Sequence, residues 1–243
     1  MSSQDLYLSI TPYTPSNIPA EDALIAAGKA LIDESRKWKQ GKSYCKNTVK
    51  TCSRSKTSKD GAGWHARHSV HSPSVGSFED FWKGLGVKKA EHEREFIPEL
   101  EKVTLVKELS SYGSIWTLYY KFPPPVSPRV FTVYQLTHLP PSSPGIPKEG
   151  YIVSIPIDLS SPGDEALAEK EEKAVRGRYV SVEYIKELED GGVEWIMATS
   201  STPGGNIPNF VAEHSMPSQI SNDVPHYIEW MQKQKAREIM LKA

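Results

Sequence analysis

The second half of the chain is a succession of short segments in which apolar and polar residues alternate: SIWTLYYKF, RVFTVYQLTHL, GYIVSIPIDL, RGRYVSVEYIKEL and VEWIMATSS. Period-two alternation is the signature of a strand, and turn sequences such as EDGG between the segments predict an antiparallel meander in one continuous sheet, begun by VTLVKEL. Such a sheet has a face to bury. The chain ends in a candidate cover, a long helix expected to start at Asn206 as its cap, with Pro208 in its first turn. Ile207, Val211, Ile220, Val224, Tyr227, Ile228 and Met231 form its apolar stripe, and Pro217 and Pro225 are expected to kink or interrupt it.

Upstream, PAEDALIAAGKALIDESRKW puts Ala23, Leu24, Ala27, Leu31 and Ile32 near helical spacing, with Glu21 and Asp22 in the first turn, and predicts a helix over 20–38. From Arg36 to Lys59 the chain carries nine Lys or Arg and no acid. Its β-branched residues suggest a short strand, read either as an edge strand guarded by lysines or as a patch for anionic lipid. WHARHSVHS, residues 64–72, reads as another strand. On it His65 and His71 share a face but lie ~20 Å apart, while His68 faces away, which disfavours a metal site. SFEDFWKGLG predicts a helix over 78–85, with Ser77 as N-cap, Asp80 three residues on and Gly86 at its end. KKAEHEREFIPEL predicts a second, whose Glu91, Glu93, Glu95, Glu99 and Glu101 alternate with Lys and Arg and read as a solvated face. The acid-rich connector SSPGDEALAEKEEKAV reads as a mobile loop.

With 243 residues and 38% apolar content, one large domain or two small ones are allowed, and a formal net charge of -1 gives no global field for nucleic acid. No window approaches the ~18 apolar residues of a membrane span, Cys45 and Cys52 are the only cysteines, and no glycosylation acceptor occurs. A cytoplasmic location is the expectation. No G-x-S-x-G elbow, phosphate loop or H-E-x-x-H motif appears, and neither a cofactor nor a metal is expected.

The order of elements, together with KFPPPVSPRVF, VRGRYVSVEY and VEWIMATSSTPGGNIPN, resembles the START lipid-transfer domain. More narrowly, WHARHSVHS followed by SFEDFWKGL and HEREFIPEL resembles the START-like DUF3074 family of uncharacterised fungal proteins. The resemblance implies an α+β helix-grip fold, a curved antiparallel sheet wrapped on the C-terminal helix, with an N-terminal helix and two small helices. After a lead-in over 1–19, residues 20–243 would form a single domain. Val130 departs from the family pattern, which has an acid after the arginine.

Prolines 123, 124, 125 and 128 cannot donate ladder hydrogen bonds, so they break the sheet and fix where the next strand begins. Arg129 is thereby set at the sheet end, either tying loop carbonyls or touching ligand. What the resemblance implies is one buried hydrophobic ligand, a lipid, sterol or polyketide-like molecule, bound and transferred with transient contact to a membrane surface. Candidate lining residues are Arg129, Phe131, Val133, Gln135, Trp195, Met197, Phe210, Val211 and His214. At Gln135, where some relatives place an arginine, an amide would favour a neutral hydroxyl or carbonyl head. The loop HLPPSSPGIPKEG is the candidate gate, opening together with the Pro217 interruption. The alternative is a cofactor-independent cyclase or isomerase-type enzyme using His68, Tyr120, Tyr134, Glu183 and His214. A third reading, a scaffold for an unknown protein partner, has no appended domain or coiled coil to support it.

Overall fold

The computed structural model describes residues 6–207 and 209–242. In chain order its elements are α1 (Glu21–Ser35), β1 (Lys39–Tyr44), β2 (Val49–Arg54), β3 (Trp64–His71), α2 (Phe78–Leu85) and α3 (Lys89–Phe96). The meander follows as β4 (Leu100–Glu108), β5 (Gly113–Tyr120), β6 (Arg129–His138) and β7 (Glu149–Pro156). Then come α4 (Glu165–Ala168), β8 (Val175–Arg176), β9 (Arg178–Glu187), β10 (Val193–Thr202) and α5 (Asn209–Lys242).

The sheet runs β1-β2-β3-β10-β9-β7-β6-β5-β4, with β8 off this path beside β6. Its neighbours along this path are antiparallel, as the alternation predicts, and β8 runs parallel to β6. Register assigns the two faces. Ala66, Ala198, Val182 and Val153 stand opposite one another across four strands and pack with Leu24, Leu31 and Ile32 of α1. The alternate row, Arg67, Met197, Glu183 and Ile152, faces the other way, toward α2, α3 and α5.

On that second face aromatic side chains join the helices to the sheet. Trp195 lies 5.2 Å from the Tyr227 ring and 6.2 Å from Phe81, and Phe96 meets Tyr227 at 5.4 Å, distances suited to edge-to-face packing. The Tyr227 hydroxyl donates to the carbonyls of Asp80 and Phe81 at 3.1 and 3.0 Å, fixing α5 on α2. A Cβ on Gly84 would fall 2.5 Å from that hydroxyl oxygen, so the close approach of the two helices requires glycine there. The α2 cap is a full capping box, with Ser77 and Asp80 exchanging side-chain and backbone hydrogen bonds.

Four expectations are corrected. The basic segment forms two strands, not one, turning through Cys45, Lys46 and Asn47 in the left-handed region, at φ 50, 58 and 68°. The acid-rich connector is not a free loop: it carries α4 and folds back on the sheet, where Lys170 donates to the Val106 carbonyl at 2.7 Å and Thr132 to Glu171 at 2.6 Å. Asn206 lies in a turn ahead of α5, which starts at Asn209, while the expectation for Pro208 falls outside the described residues.

Finally, of the two expected effects of Pro217 and Pro225, a kink or an interruption, the interruption does not occur: α5 runs through both. A proline removes the bond to the carbonyl four residues back. The carbonyl released by Pro225, that of Ser221, accepts the Cys45 thiol at 3.5 Å, so the β1–β2 turn caps the gap from outside the helix.

Candidate functional site: a cleft under the terminal helix

Between the sheet and α5 lies a half-open cleft of about 300 Å³. Its floor is built by strand alternation. Tyr179, Ser181 and Glu183 of β9 stand opposite Ser201, Thr199 and Met197 of β10, and all six reach the cleft. Met216, Gln219, Ile220, Asp223 and His226 of α5 form the roof, and Lys89, Glu93 and Ile97 form one wall. An aromatic wall stands opposite. Tyr120 stacks on Phe122 at 6.1 Å, and Phe131 sits edge-on to Tyr120 and Tyr179 at 5.5 and 5.6 Å.

One part of this apolar space is charged. Lys89 Nζ lies 2.5 Å from Glu183 Oε1 and 2.7 Å from Glu93 Oε1. Glu183 Oε2 accepts the Trp195 indole N–H at 2.8 Å and lies 3.7 Å from Arg67 Nη2. The Arg67 guanidinium, 1% exposed, rests 3.9 Å from the centre of the Trp195 ring. Its Nε and Nη1 have no hydrogen-bond partner among the described residues, so the aromatic face supplies much of its stabilisation.

Burial opposes every charge here, and the neighbours decide which survive. Burial alone would lower the Lys89 pKa, but the Glu183 and Glu93 carboxylates raise it. For Glu183, burial is outweighed by Lys89 and Arg67, and its carboxyl is held below the usual range. Glu93 goes up, because burial and the charge of Glu183 exceed what Lys89 restores. Asp223 is pushed up to about 7 by burial first, with Arg67 pulling it down and Glu93 and Glu183 pushing it up.

Of the residues proposed from sequence, Phe131, Met197, Tyr120 and Glu183 line the cleft. Val133 is packed in the core with Ala90, Leu100 and Leu118, and Trp195 lies beneath α2 and α5. Gln135 is buried and does not line the cleft. Arg129 is also buried outside the cleft, donating to the carbonyls of Pro203 and Ser127.

Phe210, Val211 and His214 are exposed, the first at 73%. The helix explains this. Val211 precedes the roof residue Ile220 by nine residues, two and a half turns at 3.6 residues per turn, and so points the opposite way.

The alternative catalytic set is divided between the faces. His68 and Tyr134 lie on the α1 side, where His68 Nε2 is 2.9 Å from Glu194 and the Tyr134 hydroxyl donates to Glu21 at 3.0 Å. The loop expected to gate the cleft packs elsewhere: Leu139, Pro140, Pro141 and Lys148 border a groove against Phe78 and Trp82 of α2. The cleft is bordered instead by Phe122, at the head of the proline-rich segment.

Sequence reasoning missed Lys89, Glu93, Ile97, Tyr179, Met216 and Asp223. A signal was present for the wall. Lys89, Glu93 and Phe96 recur at helical spacing beside Ala90, so the pair belongs to the apolar side of α3 and not to its solvated face.

A curved antiparallel sheet gripping one long terminal helix, with a cleft between them, defines a START-like helix-grip domain. The chain belongs to the DUF3074 family, described as a protein of unknown function, whose model matches residues 64–231. Among solved structures it is similar to human STARD10, with TM-score 0.68 and 11% identity over 92% of this chain and 84% of that one. Human StAR-related lipid transfer protein 5 gives TM-score 0.67 and 12% identity over 89% of this chain and 100% of that one. A STAR-related lipid transfer protein from Xanthomonas axonopodis gives 0.61 and 16%, over 80% and 98%. At these identities the likeness establishes the fold. No curated protein matches the chain in sequence.

Proposed function

We propose that this domain binds a single hydrophobic or amphipathic small molecule in the cleft under α5 and carries it between membranes or proteins. The observation that carries the reading is the cleft itself. It is about 300 Å³, at the lower end of small-molecule pockets, and Ile97, Phe122, Phe131, Met197, Met216 and Ile220 supply apolar lining around a few polar groups. The fold shared with proteins named for lipid transfer supports the same reading by analogy. No helix of the described residues is long and apolar enough to cross a membrane.

The test is native mass spectrometry of gently purified protein, with organic extraction of whatever accompanies it. A stoichiometric lipid-like molecule is expected, and it should be lost in Ile220→Trp and Met197→Trp, which fill the cleft. Val211→Trp is the control, because Val211 points to solvent. An empty wild-type protein that also fails to take up lipid from liposomes would reject the reading.

A further inference from the structure

The polar part of the cleft holds more carboxylates than cations. Asp223 of α5 faces Arg67 from β3, Lys89 and Glu93 from α3, Glu183 from β9 and the Tyr120 phenol from β5, with His226 about one turn along its own helix. Lys89 is fully engaged, and Arg67, whose Nε and Nη1 lack partners among the described residues, is kept out of the cleft lining. Lys89 bridges Glu93 and Glu183, while Arg67 lies over Trp195 with Glu183 at 3.7 Å. Asp223 makes no hydrogen bond or ion pair among the described residues, yet it lines the cleft. Glu99 adds a further carboxylate to the lining.

We propose that the ligand recognised here carries a cation at its polar end: an amine on an apolar body, paired with Asp223, with the rings of Tyr120, Phe122 and Phe131 bordering the same space. The inference rests on the cleft being the binding site and assigns the chemistry of its occupant. An anionic head, carboxylate or phosphate, would meet like charge, because Lys89 is already bridged by two carboxylates and Arg67 lies outside the cleft lining. A neutral hydroxyl would satisfy one hydrogen bond and leave the extra charge uncompensated. An ammonium answers both, as a charge-assisted donor to the carboxylate and as a cation near aromatic faces.

A pH dependence follows. With its carboxyl held up to about 7 by burial, Asp223 is half protonated at neutral pH, and a cation must displace that proton. Binding of the amine therefore strengthens as pH rises through 7, while the amine itself, titrating near the lysine value of about 10.4, stays charged.

Calorimetry of the full chain with decylamine, decanol and decanoate, all below their micellar concentrations, tests this. Decylamine is expected to bind about tenfold more tightly than decanol, the worth of one hydrogen bond to a charged group, with decanoate weakest. Its affinity should rise about tenfold from about pH 6 to about pH 8, and Asp223→Asn should bring it down to the level of decanol. Decanol or decanoate binding as tightly as decylamine would overturn the inference and leave the cleft reading standing. A pH slope that persists in Asp223→Asn would place the titration on another group and also overturn it. If none of the three binds, or if binding survives Ile220→Trp, the cleft reading fails and the inference with it.

Discussion

The Arg129 Nε donates to the Pro203 carbonyl at 3.3 Å, fastening the first residue of β6 to the turn that leads into α5. The same guanidinium reaches the Ser127 carbonyl, so one side chain joins the end of the proline-rich segment to the root of the roof helix. The turn it holds is tight. Gly204 and Gly205 sit at φ +64 and +61°, and a Cβ on Gly204 would strike the Arg176 carbonyl.

Arg129→Ala should therefore destabilise the protein by about 1–2 kcal/mol, the worth of hydrogen bonds from a buried guanidinium to two part-buried carbonyls. Hydrogen exchange should rise first around residues 203–212. Arg129→Lys should not restore protection, because a single ammonium lacks the planar fork that spans both carbonyls. Unchanged exchange in Arg129→Ala would remove this role.

Asp60 is a second fastening, buried at 1% exposure. Its carboxylate accepts from the Trp64 indole at 2.8 Å, Arg54 at 2.9 Å, the Thr57 backbone and hydroxyl at 2.6 and 2.7 Å, and Tyr7 at 2.7 Å. Burial would raise its pKa, but these donors outweigh burial and hold it well below the usual carboxylate range. The folded value is depressed, so the stabilisation is complete above the unfolded value near 4 and is lost as pH falls below it. Asp60→Asn is expected to cost about 2–4 kcal/mol at pH 7, with the difference from wild type narrowing below about pH 4 in urea titrations. A constant difference across that range would show that the charge is not what matters.

The fold was legible where one residue pattern sufficed. Alternation located the meander, and the order of motifs gave the resemblance to the START domain, upheld by the fold, and to the DUF3074 family, upheld by the family-model match. The cleft was legible only on its strand side, because period two assigns Phe131 and Met197 to a face without knowing which helix residue lies opposite. The phase of α5 was the missing quantity. Its apolar residues include exposed Val211 as well as buried Ile220, and only docking on Trp195 and Phe81 selects between them. Glu93 was misread for a different reason: its i,i+4 pair with lysine reads the same in water or in a wall, and only the spacing to Ala90 and Phe96 marks the buried side.

Glu183 is the carboxylate on which the wall depends, since Lys89, Trp195 and Arg67 all turn to it. Glu183→Gln should destabilise by about 3–5 kcal/mol, much of it from a buried ammonium and guanidinium left with too little negative charge. The double variant Lys89→Met, Glu183→Gln should recover part of that loss. Denaturant titration of the double variant and of each single variant, Lys89→Met and Glu183→Gln, measures the coupling, and additive costs would mean that the pair does not act as a unit.

Asp223 makes the opposite contribution. Its folded pKa of about 7 lies above its unfolded value near 3.9, so between these values the folded state holds a proton that the unfolded state has released. By linkage, its contribution to stability falls as pH rises from about 4 to about 7 and stays at its lower level beyond, where the ionised carboxylate faces Glu93 and Glu183. Replacing it with Asn removes the charge and keeps the shape. Asp223→Asn should therefore be the more stable protein, by about 2–4 kcal/mol at pH 8, with the gain shrinking steadily toward pH 4. Paired thermal and urea unfolding at several pH values reads this directly. A variant no more stable than wild type at pH 8 would mean that Asp223 ionises without penalty, through water reaching it from the open side of the cleft.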